Sequence, residues 1–397
     1  MTVREYIPPR MGCPFDPPDL LADLRAAERL AKVSLWDGRQ AWLVTRYSEA
    51  RLVLGDQRFS SNIDNPGLPS LAPGLANTRH RAAISRMDSP RHDELRRMVA
   101  PEFLPGRINA LRPTIEKIVA DQLDALADAM PPVDLRAEFA LAVPSRLICE
   151  LLGVPLADRD FFQECTSKAR ARGLAKEQAA AAERQMYDYC DLLVARKEKQ
   201  PTADLIGRLI ADEMPGGRLT REELITMVKV LITAGHETTA SMICLGALTM
   251  LLHPDWFRAM RDVPAAVPNA VEEMLRYHTI VHEGVTRVAT EDVLVGGTTI
   301  KAGDGVVVSL ASANRDDAMF DASDRLDMER TDARRHLAFG HGAHLCLGMW
   351  LARAELQIAL PALAARMPGL RLAVPLSSIR FSEDMQIYGV YELPVTW

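Results

Sequence analysis

The stretch from Leu224 to Leu252 is almost entirely apolar, yet Lys229, His236 and Glu237 stand in its middle. A helix that is apolar on every side must be buried on every side. At 1.5 Å per residue, roughly 30 residues span about 45 Å. In a bilayer the three ionisable groups would sit in hydrocarbon, so the segment is expected to be the central helix of a large water-soluble domain. Thr220 followed by Glu223 is a capping-box pattern that starts the helix there. The chain has 397 residues, enough for one large core or for two to three average domains.

The rest of the chain supplies the wrapping. Ile108, Leu111, Ile115, Ile118, Val119 and Leu123 recur at helical spacing within 107–130. Further helices fit 138–152, 156–171, 178–197 and 203–214. AWLVTRY, residues 41–47, alternates like a strand, and SEARLVLGD after it suits a short helix. A β-rich stretch covers 284–310. A last long helix follows over 347–367, with Pro361 as a place for a kink. The expected fold class is mainly α with a minor β region, and nothing demands a break, so 1–397 is expected to form one domain.

A formal charge of −6 excludes nucleic-acid binding by net electrostatics. The first residues, MTVREYIPPRMGCPFDPP, hold no apolar core of a signal or membrane anchor, so the cytoplasm is the expected compartment. The six cysteines are scattered without a C-x-x-C pair, which excludes a disulfide framework as the basis of the fold. Five have apolar neighbours. Cys346 instead lies among glycines, in FGHGAHLCLG, residues 339–348.

Glycines at 340, 342 and 348 let a backbone turn tightly and approach a flat ligand. A cysteine at the edge of a helix N-terminus is placed to be a thiolate, and a thiolate is a metal ligand. A zinc site from His341, His344 and Cys346 lacks a fourth ligand. A dinucleotide loop fails because Leu345 occupies the third glycine position. A buried cysteine in a turn remains as the plain alternative. The stretch matches F-G-x-G-x-H-x-C-x-G at every fixed position and so resembles the haem-binding signature of the cytochrome P-450 haem-thiolate monooxygenases. The resemblance implies that Cys346 is the axial ligand of haem b, with Phe339, Gly340, His344 and Gly348 around the ring.

Three further segments carry the same resemblance. Ala234, Gly235, Glu237 and Thr238 are similar to the family's A/G-G-x-D/E-T, which makes Glu237 and Thr238 the expected acid–alcohol pair for proton delivery. Gly235 costs about 1 kcal/mol in a helix, which suits a helix that opens against a ligand. Close packing for the glycine and back-bonding for the threonines are the plain alternatives. HETTA lacks the second histidine of a zinc protease, because Ala240 stands there. Glu273 and Arg276 resemble the family's E-x-x-R pair, with Arg325 in SDRL as the expected third partner. MDSPRHDELRR, 87–97, resembles M-D-x-P-x-H-x-x-x-R, so His92 and Arg96, together with Arg287 and His344, are expected at the haem propionates.

The resemblance covers nearly the whole chain and points to an actinomycete branch of the soluble bacterial members. It implies insertion of one oxygen atom of O2 into an apolar, fairly large substrate of macrolide, sterol-like, statin-like or xenobiotic class. Epoxidation, dealkylation and coupling are alternatives of the same chemistry; a haem protein that binds gas without turnover is an alternative of another class, disfavoured by Glu237 and Thr238. Pocket walls are expected from 60–87, 161–185, the helix around Gly235, 280–285 and 386–388, with Ile280, Val281, Val285 and Ile387 as lining residues. His282 and Glu283 add polarity there or face solvent. Electrons are expected from a ferredoxin and its NAD(P)H-dependent ferredoxin reductase, since 397 residues leave no room for either. Arg334, Arg335 and His336 form the expected docking patch. The protein is expected to be a monomer.

Overall fold

The computed structural model describes residues 4–6, 10, 12–27, 30–71, 83–170 and 174–397. It is mainly helical with minor sheet. The central helix runs from Arg221 to Leu252, 32 residues, and its capping box is closed on both sides. The Thr220 hydroxyl accepts the Glu223 N–H at 3.2 Å, while the Glu223 carboxylate accepts the Thr220 N–H at 2.9 Å. From Thr239 to Met250 every residue is buried, as its all-round apolar sequence requires. Its jacket includes helices Ala142–Leu152, Lys176–Lys199 and Met349–Arg366. The last of these runs through Pro361 as one element.

Most helices fall within a few residues of where their apolar spacing places them. The 107–130 segment is Pro105–Asp128, opened by a proline at its first position. The segment expected as one helix over 138–152 is instead two elements, a π-helical turn Arg136–Ala140 and then Ala142–Leu152. The 156–171 segment opens with a 3-10 turn, Leu156–Asp158, before the helix Arg159–Arg170. Short helices at Arg91–Val99 and Val267–His278 carry the M-D-x-P and E-x-x-R segments.

The main sheet joins distant parts of the chain. Its order is Arg4–Glu5, Ala31–Ser34, Gln40–Val44, Gly305–Val308, Val285–Ala289 and Phe59–Ser60. Val285 faces Val308 and Arg287 faces Val306 across an antiparallel pair. Between these two strands lies the hairpin Val293–Val295 and Thr298–Ile300. It turns on Gly296 and Gly297, with φ of 52° and 75°, the left-handed pair that a two-residue turn needs. Among the described residues no helix is long and apolar enough to cross a membrane.

Candidate active site

The Cys346 loop is folded by its own backbone. The Gly340 N–H donates to Leu337 O at 2.8 Å, Leu345 N–H to Gly342 O at 3.0 Å, and Cys346 N–H to Phe339 O at 2.9 Å. At Gly342, φ is 74°, and a Cβ would lie 2.3 Å from the carbonyl oxygen of Leu54. Only glycine fits there, because the loop presses on the helix Tyr47–Gly55. Gly348 differs: its φ is an ordinary −83°, and a Cβ there would meet no protein atom within 4 Å. Cys346 keeps an exposed side. The protein packed around its thiol pushes its pKa up, and the Gly348 N–H, Arg96 and Arg353 oppose that push.

Arginines and histidines gather beside this loop. The His92 and His344 rings lie 4.2 Å apart, centroid to centroid. Arg96 donates from Nη2 to Leu345 O at 2.7 Å, tying the Arg91–Val99 helix to the residue before Cys346. Arg287 is buried and, among the described residues, donates only to Thr286 O, at 2.8 Å. Burial first, then Arg287, His92 and Arg96, push His344 down to about 3. Burial, reinforced by Arg86, pushes Arg287 down to about 10. Arg86 belongs to no motif and escaped the sequence reasoning; it donates from Nη1 to Thr286 Oγ1 at 3.1 Å. Among the described residues no carboxylate pairs with Arg86, Arg96 or Arg287. Buried cations call for counter-charge. A flat dianion beside Cys346 would meet that demand, and haem with its two propionates is such a group.

On the central helix, Ala234 is exposed and Thr238 is half-buried, one turn apart on an element otherwise nearly sealed. That face fronts open space. The Thr238 hydroxyl donates to Ala234 O at 2.8 Å, and Glu237 accepts from Arg136 Nη2 at 2.5 Å. The helix runs unbroken through Gly235, where a Cβ would lie 2.9 Å from Ile148 Cδ1. Close helix packing accounts for this glycine, and no opening of the helix is needed to explain it. His236 is fully buried, with Nδ1 2.7 Å from Ile232 O. Among the described residues no three His, Cys, Asp or Glu side chains are grouped to hold a metal, so the zinc alternative has no site.

The expected apolar wall is partly assembled. The Tyr388 N–H donates to Ile280 O at 2.8 Å, joining 280–285 to 386–388. Ile280 and Ile387 are buried, and Val281 and Val285 are half-buried. His282 is buried with Nε2 2.7 Å from Met385 O, and Glu283 is buried too, so neither faces solvent. Residues 72–82 and 171–173 of the expected walls lie outside the described residues.

Behind the Cys346 loop two expectations need correction. Glu273 and Arg276 do form a fully buried pair. The third partner is Arg330, whose Nε lies 3.2 Å from Glu273 Oε1, and not Arg325. The Arg325 side chain is 70% exposed and bonds Asp327, offering the pair only its carbonyl. His336 is likewise not a surface group. It is buried, its Nδ1 accepts the Ala338 N–H, and its Nε2 therefore donates to Glu272. Arg334 and Arg335 are exposed beside a basin of about 660 Å³ that Arg51, Arg112, Trp350 and Arg353 also line.

Burial alone would raise the Glu272 carboxyl, but hydrogen bonds from His336 and Arg353 hold it down at about 2, against an ordinary 4.5. A depressed folded value means stability present above the ordinary value and lost as pH falls toward the folded one, here about 3 kcal/mol in all. The thermal midpoint of the wild type should therefore fall more steeply between about pH 5 and pH 2 than that of Glu272→Gln. Parallel slopes would refute the assignment.

Known proteins place this geometry. A family model described as Cytochrome P450 matches residues 169–262 and 265–366. The vitamin D3 dihydroxylase of Streptomyces griseolus is 45% identical over 392 residues, covering 98% of this chain and 96% of that protein. The crystal structure of cytochrome P450 MoxA from Nonomuraea recticatena, a CYP105 member, superposes with a TM-score of 0.89 at 46% identity, covering 99% and 98% of the two chains. Mycinamicin VIII C21 methyl hydroxylase MycCI from Micromonospora griseorubida superposes with a TM-score of 0.94 at 38% identity, over 99% of this chain and all of that one. With this likeness along nearly its full length, the chain belongs to the cytochrome P450 family, in the CYP105 group of actinomycetes, and is a haem-dependent monooxygenase.

Proposed function

We propose that this P450 hydroxylates an apolar, fairly large small molecule with electrons from a separate ferredoxin and its NAD(P)H-dependent reductase. It does so as a single catalytic domain, a monomer working in the cytoplasm. The Ala234–Thr238 face, exposed at Ala234 and half-buried at Thr238 on a mostly buried helix, carries this reading, because it gives substrate and O2 an apolar floor beside an acid and an alcohol. Haem, when bound, would supply the activation of dioxygen, and Cys346 would hold its iron through the sulfur. His92, Arg96, Arg287 and His344 would hold the propionates, and Arg86 would add a cation beside them. Phe339, Gly340 and Gly348 let the ring approach the backbone. Glu237 and Thr238 hold and pass protons, while Ile280, Val281, Val285 and Ile387 exclude water and orient the substrate.

Vitamin D3 and mycinamicin VIII, named for two relatives, are both large molecules with apolar frames. A substrate of that class suits these walls. The basin with Arg51, Arg112, Arg334, Arg335 and Trp350 offers an acidic ferredoxin a cationic rim around an aromatic anchor. The test is a panel of sterol-like and macrolide compounds, scored for the haem spin shift and then for product with a surrogate ferredoxin pair. A product that gains one oxygen atom, with the ferredoxin KM raised about tenfold in Arg334→Glu/Arg335→Glu, is the expected result. Spin shifts only with small polar compounds, or an unchanged ferredoxin KM, would count against the substrate class and the docking face respectively.

A further inference from the structure

Arg136 belongs to no part of the haem site, yet it makes the one ion pair that Glu237 forms among the described residues. Its Nη2 lies 2.5 Å from Glu237 Oε1, and the two side chains are only 19% and 11% exposed. The partners are 101 positions apart in sequence. Glu237 leans toward Arg136 while the neighbouring Thr238 hydroxyl is bonded to Ala234 O. The acid and the alcohol are thus parked on separate partners.

The mount of Arg136 is rigid. It opens the π-helical turn Arg136–Ala140, a rare geometry that is frequent at functional sites. Its N–H donates to Asp134 Oδ1 at 3.0 Å, and the same oxygen accepts the Leu393 N–H at 2.7 Å. The Leu135 N–H returns a bond to Leu393 O at 2.9 Å. Asp134 itself lies in the strand Val133–Asp134, paired with Pro394–Thr396. The guanidinium is therefore delivered to the central helix from a backbone clamped to the C-terminal strand. An ordinary surface ion pair has no such support and is worth little.

We infer that Arg136 is the positioning residue of the proton relay: it fixes the Glu237 carboxylate toward the 133–140 turn and so sets the geometry in which Glu237 takes up and hands on protons. The inference rests on Glu237 acting as the relay acid, as proposed above. Arg136 touches neither substrate nor haem in this role; it acts through Glu237.

Four variants of the holoenzyme separate the possibilities: Arg136→Leu, Arg136→Lys, Glu237→Gln and the double Arg136→Leu/Glu237→Gln. With a surrogate ferredoxin pair and a turned-over compound, the readouts are kcat, its solvent deuterium isotope effect, hydrogen peroxide formed per NADPH, and the substrate Kd from the spin shift. Arg136→Leu should lower kcat about tenfold, change the isotope effect and raise the peroxide share, with Kd unchanged. Arg136→Lys should recover most of the loss. The double variant should match Glu237→Gln, because Arg136 has nothing left to act through. Thermal unfolding supplies a readout free of turnover: Arg136→Leu should lower the midpoint and the double variant should recover part of it.

Wild-type kcat, peroxide share and isotope effect in Arg136→Leu, alongside a clear loss in Glu237→Gln, would overturn the inference and leave the relay acid standing. Wild-type behaviour of Glu237→Gln would remove the relay acid and the inference with it. Should Arg136→Leu fail to fold, the double variant still decides, since it leaves no unpaired carboxylate: a kcat well below that of Glu237→Gln would overturn the inference.

Discussion

Cys346→Ala should lose the strongly red-shifted carbonyl band of the dithionite-reduced protein, and product formation should fall to background. The sulfur has no understudy. Of the six cysteines only Cys13 and Cys346 are exposed; Cys149, Cys165, Cys190 and Cys244 are buried. Those four are sealed among core side chains, out of reach of a metal or a flat ligand. The substitution spares the loop, because the Cys346 contact that shapes it is a backbone bond to Phe339 O. Arg96, Arg287 and the His344 imidazole are also untouched, so the variant should still take up haem. What it lacks is the electron-rich sulfur that sets both the spectrum and the oxygen chemistry. A red-shifted band surviving in Cys346→Ala would overturn the assignment of the loop, and the function with it.

The sequence is most legible where the physics is local. The capping box of Thr220 and Glu223, the apolar spacing of 107–130 and the Cys346 loop each depend on residues within a few positions of one another. The structure places them accordingly. The Glu273–Arg276 pair is legible for the same reason, three residues on one helical face. Its third partner is not, because Arg330 reaches Glu273 from 57 positions away along an irregular loop. Arg325 stands where the family's segment carries its arginine, but its side chain turns to the nearby Asp327. Gly235 shows a different limit. A glycine inside a helix signals that something comes close, and only the fold identifies that something as Ile148. The π-helical turn at Arg136–Ala140 interrupts a segment whose composition is helical throughout, so nothing in periodicity marks it. Two-residue strands such as Arg4–Glu5 and Phe59–Ser60 are too short to carry a period at all.

Arg276→Lys should be the most destabilising of the conservative changes, and haem content should fall with it. Arg276 is fully buried and uses all five of its N–H groups. Nε and Nη2 bond the two Glu273 oxygens at 2.7 and 2.8 Å; Nη1 bonds Asn314 O and Ser323 O, both at 2.7 Å; Nη2 also reaches Arg325 O at 3.1 Å. A lysine offers three donors from one point and cannot span this fork. It would leave carbonyls and part of a buried carboxylate unpaired, at a cost of about 3–5 kcal/mol. Glu273 would keep Arg330 and the Asp327 N–H, at 3.2 and 2.9 Å, so the damage concentrates on the Asn314 and Ser323 side. Asn314 is the link to the haem loop: its Oδ1 accepts the Leu337 N–H at 2.7 Å, two residues before Phe339. Loosening Arg276 therefore loosens the root of the Cys346 loop. Arg330→Lys should be milder, because Arg330 is bound to Glu273 through Nε alone and otherwise to its own loop, by backbone carbonyls and a long 3.9 Å ion pair with Asp332. Thermal unfolding and haem content per chain measure both effects. A drop of about 5 °C or more is expected for Arg276→Lys. Wild-type values for it, or a larger loss in Arg330→Lys, would mean that the pair does not hold the loop.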